Sequence, residues 1–218
     1  MLHKQSEKID MHVFCDASEK AYGACVYLLS TDKNGKKVAN LLCAKSRVAP
    51  LQNQSVAKLE LCAAFLGAQL IKKLKYRLNC KLNSINLWSD SMIALTWINS
   101  SPHKWKQFVA NRTSEIQEIC AGALWKYVPS QENPADILSR GSTPIELIDS
   151  KLWWSGPPWL IADQEKWPVQ PQLLTNNQDL PEAKTICNLL TKSDFQYEII
   201  ETIVNKFSSL QKIKTTLA

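Results

Sequence analysis

The chain has 218 residues, of which 45% are hydrophobic and 21% charged, and its formal net charge at pH 7 is +6. These values are ordinary for a globular protein with its own core, and they exclude a chain that is disordered throughout. The mild excess of basic residues suits a partner that carries phosphates, although many proteins of this charge bind no nucleic acid.

The seven cysteines are widely spaced, with no CxxC pair, and the three histidines do not cluster with them. We therefore expect no zinc site, and the odd number of scattered cysteines indicates a reducing compartment. The first ten residues are polar, unlike a signal peptide, and no apolar run approaches the roughly 18 residues of a membrane span. The sequence predicts a soluble, intracellular protein without a membrane segment.

The first part of the chain predicts three strands joined by short links. The stretches MHVFCD (11–16), YGACVYLLS (22–30) and VANLLCAKS (38–46) are short and rich in strand-forming residues. Asn34–Gly35 lies between the second and third stretches and is a strong signal for a hairpin turn. Three strands with tight links predict an antiparallel meander.

Helices and strands then alternate. The predicted elements are a helix over 55–78, a strand over 84–90, helices over 91–100 and 103–120, a strand over 123–129 and a helix that begins near Pro134. A meander followed by this alternation, in the order βββ, α, β, α, α, β, α, favours an α/β fold with a mixed five-stranded sheet flanked by helices.

Composition changes near residue 141, where proline and tryptophan become frequent. We interpret this part of the chain as an extended segment that packs by aromatic anchors, followed by an amphipathic helix over 194–214. The predicted organisation is a lead-in over 1–9, a domain over 10–143, a Pro/Trp-rich linker over 144–182 and a helical segment over 183–218.

Four acidic residues are candidate metal ligands. Asp16 and Asp90 end the first and fourth strands, Glu60 lies among apolar residues of the long helix, and Asp136 opens the last helix of the domain. A carboxylate among buried apolar neighbours is costly unless it is paired or binds a cation. Taken singly, each has an ordinary alternative: a turn former, a surface residue or a first-turn acid. Their shared order is the stronger signal.

That order resembles the ribonuclease H domain of retrotransposons with long terminal repeats. The motifs FCDAS, KLELCAA, LWSDSMIALTWI, VPSQENPADILSRG and LWWSGPPWL are most similar to the BEL/Pao group, over residues 10–160 and more loosely to the end. The resemblance implies a ribonuclease H-like fold and an endonuclease that cleaves the RNA strand of RNA/DNA hybrids.

The resemblance also implies a mechanism with two Mg²⁺ ions, or Mn²⁺ in their place. Asp16 would bridge the two ions, Glu60 and Asp90 would complete one coordination shell, and Asp136 would complete the other. Ser91 would orient a substrate phosphate or, equally, cap a helix.

Basic side chains are candidates for gripping the phosphates of the hybrid, although each could equally belong to a solvated helix face. The candidates are Lys72, Lys73, Lys75, Arg77, Lys104, Lys106 and Arg112. The implied partners are the hybrid and a reverse transcriptase domain of the parent polyprotein. The implied location is the cytoplasm or a virus-like particle, with the nucleus as an alternative.

Two departures from the family pattern leave alternatives open. The stretch YVPSQEN (127–133) has no histidine where many relatives carry one, and His103 is too distant to replace it. No D-[ST]-G protease motif or integrase zinc box occurs, so we expect a fragment of a polyprotein or a domesticated remnant. The alternatives are a catalytically weak, nucleic-acid-binding remnant, a DNA-cleaving enzyme of the same fold, and an inactive structural fragment.

Overall fold

The computed structural model describes residues 8–78, 80–174 and 180–184. Its strands are β1 (Lys8–Ala17), β2 (Ala21–Thr31), β3 (Lys37–Val48), β4 (Ser84–Ser89) and β5 (Leu124–Tyr127). Its helices are α1 (Val56–Lys75), α2 (Met92–Ile98), α3 (Gln107–Ile119), α4 (Asp136–Arg140), α5 (Pro144–Asp149) and α6 (Lys151–Ser155). Short 3-10 turns lie at Pro102–Lys104, Ser130–Glu132, Pro158–Ile161 and Gln164–Lys166.

The order of elements predicted for the domain is confirmed, with differences at the element ends. The helix predicted from residue 103 begins at Gln107, because a 3-10 turn and the extended residues Trp105 and Lys106 precede it. The helix predicted to begin near Pro134 begins at Asp136. The predicted helix over 194–214 lies outside the described residues. Within the part of the chain that is described, no helix is long and apolar enough to cross a bilayer.

The sheet has the strand order β3-β2-β1-β4-β5, and this confirms the predicted mixed five-stranded sheet. Strands β1, β2 and β3 are antiparallel neighbours, whereas β4 runs parallel to both β1 and β5. The parallel register pairs Cys15 with Ser89. The next residue in each case is an aspartate, so Asp16, within β1, and Asp90, directly after β4, lie side by side at the same end of the two strands.

Strand β1 is buried on both faces of the sheet. Met11, Val13 and Cys15 belong to the core cluster beneath α1, whereas Phe14 belongs to a second cluster on the opposite face. A strand covered on both sides needs no alternation of polar and apolar residues, which explains the continuous apolar run in this stretch.

Helix α1 lies close to β1 because Gly67 faces the strand. A Cβ atom added at Gly67 would lie 2.7 Å from the Sγ atom of Cys15, which leaves no room for a side chain there. The missing side chain allows the helix to pack closely against the sheet. Glu60, two turns earlier on the buried side of the helix, is thereby held over the end of β1.

The second face of the sheet is covered by the Pro/Trp-rich segment. Its ring contacts include Trp159 against Trp88, at 4.7 Å between centroids, and Trp167 against Trp88, at 5.3 Å. The hydroxyl of Tyr27 donates to the carbonyl oxygen of Trp153 at 2.6 Å. Short helices and 3-10 turns interrupt this segment, so it is not extended throughout. Aromatic side chains anchor it, as predicted. The boundaries of the linker at residues 144 and 182 stay a prediction.

The two edge strands of the sheet, β5 and β3, are protected in different ways. At β5, the side-chain amide of Gln170 accepts from the N–H of Tyr127 at 2.7 Å and donates to its carbonyl oxygen at 3.1 Å. At β3, the pairing register shifts opposite Val26 and Tyr27, and the outer end of the strand carries the exposed Lys45 and Arg47.

Trp159 provides a test of whether this segment stabilises the domain. Its side chain is 9% exposed and its indole N–H donates to Glu132 at 2.7 Å, so Trp159→Ala should lower the free energy of unfolding by about 3–5 kcal/mol. Urea denaturation of the full chain measures the change. The matched control is Trp154→Ala at a 49% exposed position, which should cost less than about 1 kcal/mol. Equal effects would show that the segment does not depend on this anchor.

Candidate active site

The structure brings three of the four predicted carboxylates together. Asp16 lies at the end of β1, Asp90 directly follows β4, and Glu60 lies in the second turn of α1. One carboxylate oxygen from each residue lies within 4.8 Å of the other two. Asp16 and Glu60 are buried and Asp90 is half-buried. Three carboxylates at this spacing form an acidic cluster that is suited to a cation.

Neutral donors, rather than basic side chains, hold the three carboxylates. The N–H of Ala17 donates to Glu60 Oε1 at 3.1 Å, and the hydroxyl of Ser139 donates to Asp16 Oδ2. The hydroxyl of Ser130 donates to Asp90 Oδ2. The sequence prediction missed both serines, because each reaches its carboxylate across a long sequence separation that no local pattern reveals.

The strand end itself is fixed by a further contact that the sequence did not reveal. The side-chain amide of Asn133, which is 1% exposed, donates to the carbonyl oxygen of Cys15 at 3.0 Å. This bond ties the loop before α4 to the residue that precedes Asp16. The loop and helix over 130–140 therefore orient the carboxylates of both strands.

Two oxygens of the cluster lack a hydrogen-bond partner among the described residues. They are Glu60 Oε2 and Asp90 Oδ1, and both are buried. A buried acceptor without a partner costs free energy, so such atoms require an explanation. Oxygen atoms of carboxylates are the ligands that hard divalent cations such as Mg²⁺ prefer. The residues present therefore fit a divalent cation.

Burial and mutual repulsion raise the pKa values of Asp16 and Glu60. Burial is the main cause that raises the pKa of Glu60 from 4.5 to about 9, with repulsion from Asp16 and Asp90 adding to it. Burial likewise raises the pKa of Asp16 from 3.8 to about 7, although the hydrogen bond from Ser139 opposes the shift. Without a cation, ionising the whole cluster is unfavourable near neutral pH.

Asp136 lies beside the cluster but not within it. Its carboxylate accepts from Arg140 Nε, four residues later on α4. Its charge still contributes to raising the pKa of both Asp16 and Glu60, so it acts on the cluster electrostatically. The structure therefore places the fourth predicted ligand in an ion pair next to the site.

The predicted phosphate-binding residues fall into two separate groups. The first comprises exposed residues at and just beyond the C-terminal end of α1: Lys72, Lys73, Lys75 and Arg77. At ~1.5 Å per residue, this group begins about 18 Å along the helix from Glu60. The second surrounds the start of α3, where Lys104 and Lys106 are exposed and the guanidinium of Arg112 lies 3.6 Å from the centroid of Phe108.

Ser91 caps a helix. Its side chain accepts from the N–H of Ala94 at 3.3 Å, at the N-terminus of α2. Of the two roles that the sequence left open, the structure displays the cap. A role in binding phosphate stays a prediction.

Arg140 competes electrostatically with any cation at the cluster, so its removal should strengthen cation binding. We expect Arg140→Gln to increase the affinity for Mg²⁺ by about two- to fivefold, a factor typical of a solvent-screened charge. Titration calorimetry measures the affinity. Lys151→Gln removes one exposed positive charge on α6 and serves as the control. Weaker binding by Arg140→Gln would mean that the arginine supports the site.

The raised pKa values predict that the metal-free protein loses stability as pH rises. Between pH 4.5 and 9 the unfolded chain gives up the proton of Glu60 while the folded chain keeps it, so the free energy of unfolding falls. Glu60→Gln should make this fall shallower, as measured by urea denaturation with a chelator at pH 5, 7 and 9. Glu118→Gln, on the exposed face of α3, should leave the slope unchanged. Parallel pH profiles for Glu60→Gln and the parent would contradict the assignment.

Comparison with known proteins gives a family match for the first part of the chain. The family model described as a Pao retrotransposon-like RNaseH-like domain matches residues 1–91, which include Asp16, Glu60 and Asp90 but not Asp136. A search of curated proteins finds no match.

Solved structures similar to the chain include several ribonuclease H domains. LC11-RNase H1, solved in complex with an RNA/DNA hybrid, has 15% identity and a TM-score of 0.42, over 64% of this chain and 99% of that one. RNase H1 from the archaeon Halobacterium salinarum has 13% identity and a TM-score of 0.38, over 65% and 98%. The RNase H domain of PFV has 12% identity and a TM-score of 0.33, over 58% and 81%. The resemblance predicted from the motifs is confirmed over residues 1–91, which match the ribonuclease H-like domain of Pao retrotransposons.

Proposed function

We propose that the protein is a ribonuclease H-type endonuclease that cleaves the RNA strand of RNA/DNA hybrids with two divalent cations, Mg²⁺ or Mn²⁺. The observation that carries the proposal is the cluster of Asp16, Glu60 and Asp90, in which one oxygen from each residue lies within 4.8 Å of the other two. Among the described residues, none of the three forms an ion pair with a basic side chain. The family match over the same three residues supports it.

Each carboxylate has a role in this proposal. Asp16, on the central strand, would serve both cations, Glu60 and Asp90 would complete one shell, and Asp136 would serve the other after leaving Arg140. Bound divalent cations would supply a Lewis acid for the phosphoryl oxygens and a lowered pKa for the attacking water. Ser139 and Ser130, through their hydrogen bonds to Asp16 and Asp90, would keep the oxygens in orientation during turnover.

The proposed substrate contacts come from the basic side chains near the start of α3. Lys104, Lys106 and Arg112 would bind backbone phosphates, while selection of a hybrid requires contacts to 2′-hydroxyl groups across a wide minor groove. The proposed setting is a retrotransposon polyprotein with a reverse transcriptase domain as partner, in the cytoplasm, a virus-like particle or the nucleus.

The ion pair between Asp136 and Arg140 favours a second candidate, a nucleic-acid-binding remnant with weak catalysis. If Asp136 keeps its partner, only three carboxylates serve the cations and the second shell stays incomplete. Cleavage then falls while binding of the hybrid persists, so the two candidates differ in rate rather than in affinity.

The deciding experiment is cleavage of an RNA/DNA hybrid, labelled on either strand, by the full chain with Mg²⁺. Asp16→Asn should reduce cleavage of the RNA strand by about a hundredfold or more, because metal ions contribute several kcal/mol and each 1.36 kcal/mol is tenfold. Asp149→Asn, an exposed aspartate on α5, makes the same chemical change away from the site and should leave the rate unaltered.

Other substrates and ions separate the remaining alternatives. Faster cleavage of duplex DNA than of the hybrid would identify a DNA nuclease of the same fold. Binding of the hybrid without cleavage, in both Mg²⁺ and Mn²⁺, would support the binding remnant. A folded protein that neither binds nor cleaves would contradict both candidates.

A further inference from the structure

Residues 180–184 form a short strap that is bound to the backbone at the start of α3. Ala183 pairs with Trp105 in an antiparallel bridge. The N–H of Lys106 donates to the carbonyl oxygen of Glu182 at 2.8 Å, and the N–H of Lys184 donates to that of Lys104 at 2.9 Å. The strap therefore lies across two of the residues predicted to grip nucleic acid.

The strap places one carboxylate on a lysine of α1. Glu182 Oε1 lies 2.9 Å from Lys58 Nζ, and the two side chains are only 20% and 24% exposed. Glu182 also has a φ of +66°, the one positive value at a non-glycine residue in the described ranges. Backbone strain of this kind persists only where surrounding contacts enforce it, and it concentrates at functional contacts.

Lys58 is part of a cationic group with few anionic partners. Its Nζ lies 5.6 Å from the centroid of Phe108, and the guanidinium of Arg112 lies 3.6 Å from the same centroid. The buried Nε of Arg112 has no hydrogen-bond partner among the described residues. The described residues form three ion pairs, and only the pair between Glu182 and Lys58 includes one of these two cations. Arg112 has no carboxylate partner in the part of the chain that the structure describes.

The position of this group relates it to the acidic cluster. Lys58 precedes Glu60 by two residues in the first turns of α1, so the two side chains leave the helix in different directions. Both residues belong to the first two turns of α1, so the cationic group and the acidic cluster lie at the same end of this helix.

We propose that Glu182 occupies an anion site at Lys58, beside the stacked Phe108 and Arg112, and that this site takes a backbone phosphate of nucleic acid when the strap is released. The carboxylate imitates the phosphate in charge and in hydrogen-bonding capacity. The strap thus competes with nucleic acid, an inference that rests on the proposed function for its ligand but concerns binding rather than cleavage.

The affinity test compares two variants that each remove one negative charge from the full chain. Binding of an RNA/DNA hybrid is measured in Ca²⁺ by fluorescence anisotropy. Glu182→Gln should tighten binding by about three- to fivefold, the range expected for losing a competing ion pair. Glu165→Gln, at an exposed position in the 3-10 turn Gln164–Lys166, should change it by less than about twofold. Equal effects of the two variants would overturn the proposal.

Two further measurements test whether the competition occurs at Lys58 and whether the strap is released. In a Lys58→Gln background, Glu182→Gln should give no gain in affinity, because the cation for which they compete is absent. Addition of the hybrid should accelerate amide hydrogen exchange at Lys106 and Lys184, whose N–H groups hold the strap. Unchanged or slower exchange in the bound state would overturn the proposal.

The proposal about the strap and the proposed function can fail separately. Equal hybrid affinities for Glu182→Gln and Glu165→Gln, with intact cleavage of the RNA strand, would reject the strap alone. Competition by the strap without cleavage would reject the nuclease alone. No binding of the hybrid by any variant would reject both.

Discussion

The burial and mutual repulsion of three clustered carboxylates are the constraint on which the site depends. The parallel pairing of β1 with β4 places Asp16 beside Asp90, and the close approach of α1 at Gly67 adds Glu60. Neutral donors orient these groups without supplying a positive charge, so they offset only part of the cost of ionising the cluster. The cost appears as raised pKa values, and a bound divalent cation would offset it. The electrostatic energy that destabilises the metal-free protein is thus the same energy that a bound cation would recover.

Local patterns in the sequence predicted the sheet and the three clustered carboxylates, because strand ends and helical spacing are local features. The pairing of Asp136 with Arg140 also had a local signal, since residues four apart on a helix face each other. Ser139 had no such signal, because it is 123 residues distant from Asp16 in the sequence. Hydroxyl donors of this kind require the tertiary structure.

The Pro/Trp-rich segment shows how far composition alone predicts a role. Prolines and scattered tryptophans, with neither helical nor strand periodicity, predict an extended segment with aromatic anchors. In the structure, Trp153, Trp159 and Trp167 are those anchors, and they cover the second face of the sheet against Phe14 and Trp88. A strand that is apolar on both sides needs two covering layers, and α1 provides only one. The continuous apolar run of β1 was the signal for this second layer.

The two covered edges of the sheet bear on how the protein behaves at high concentration. An open edge strand presents unpaired N–H and C=O groups to other chains and promotes aggregation. At β5, the side-chain amide of Gln170 makes the two hydrogen bonds to Tyr127 that a residue of a neighbouring strand would make. At β3, the register shift and the positive charges of Lys45 and Arg47 oppose the approach of an identical edge. Gln170 thus satisfies the edge backbone at Tyr127, whereas the register shift and the two positive charges disfavour pairing of β3 with a second copy of itself.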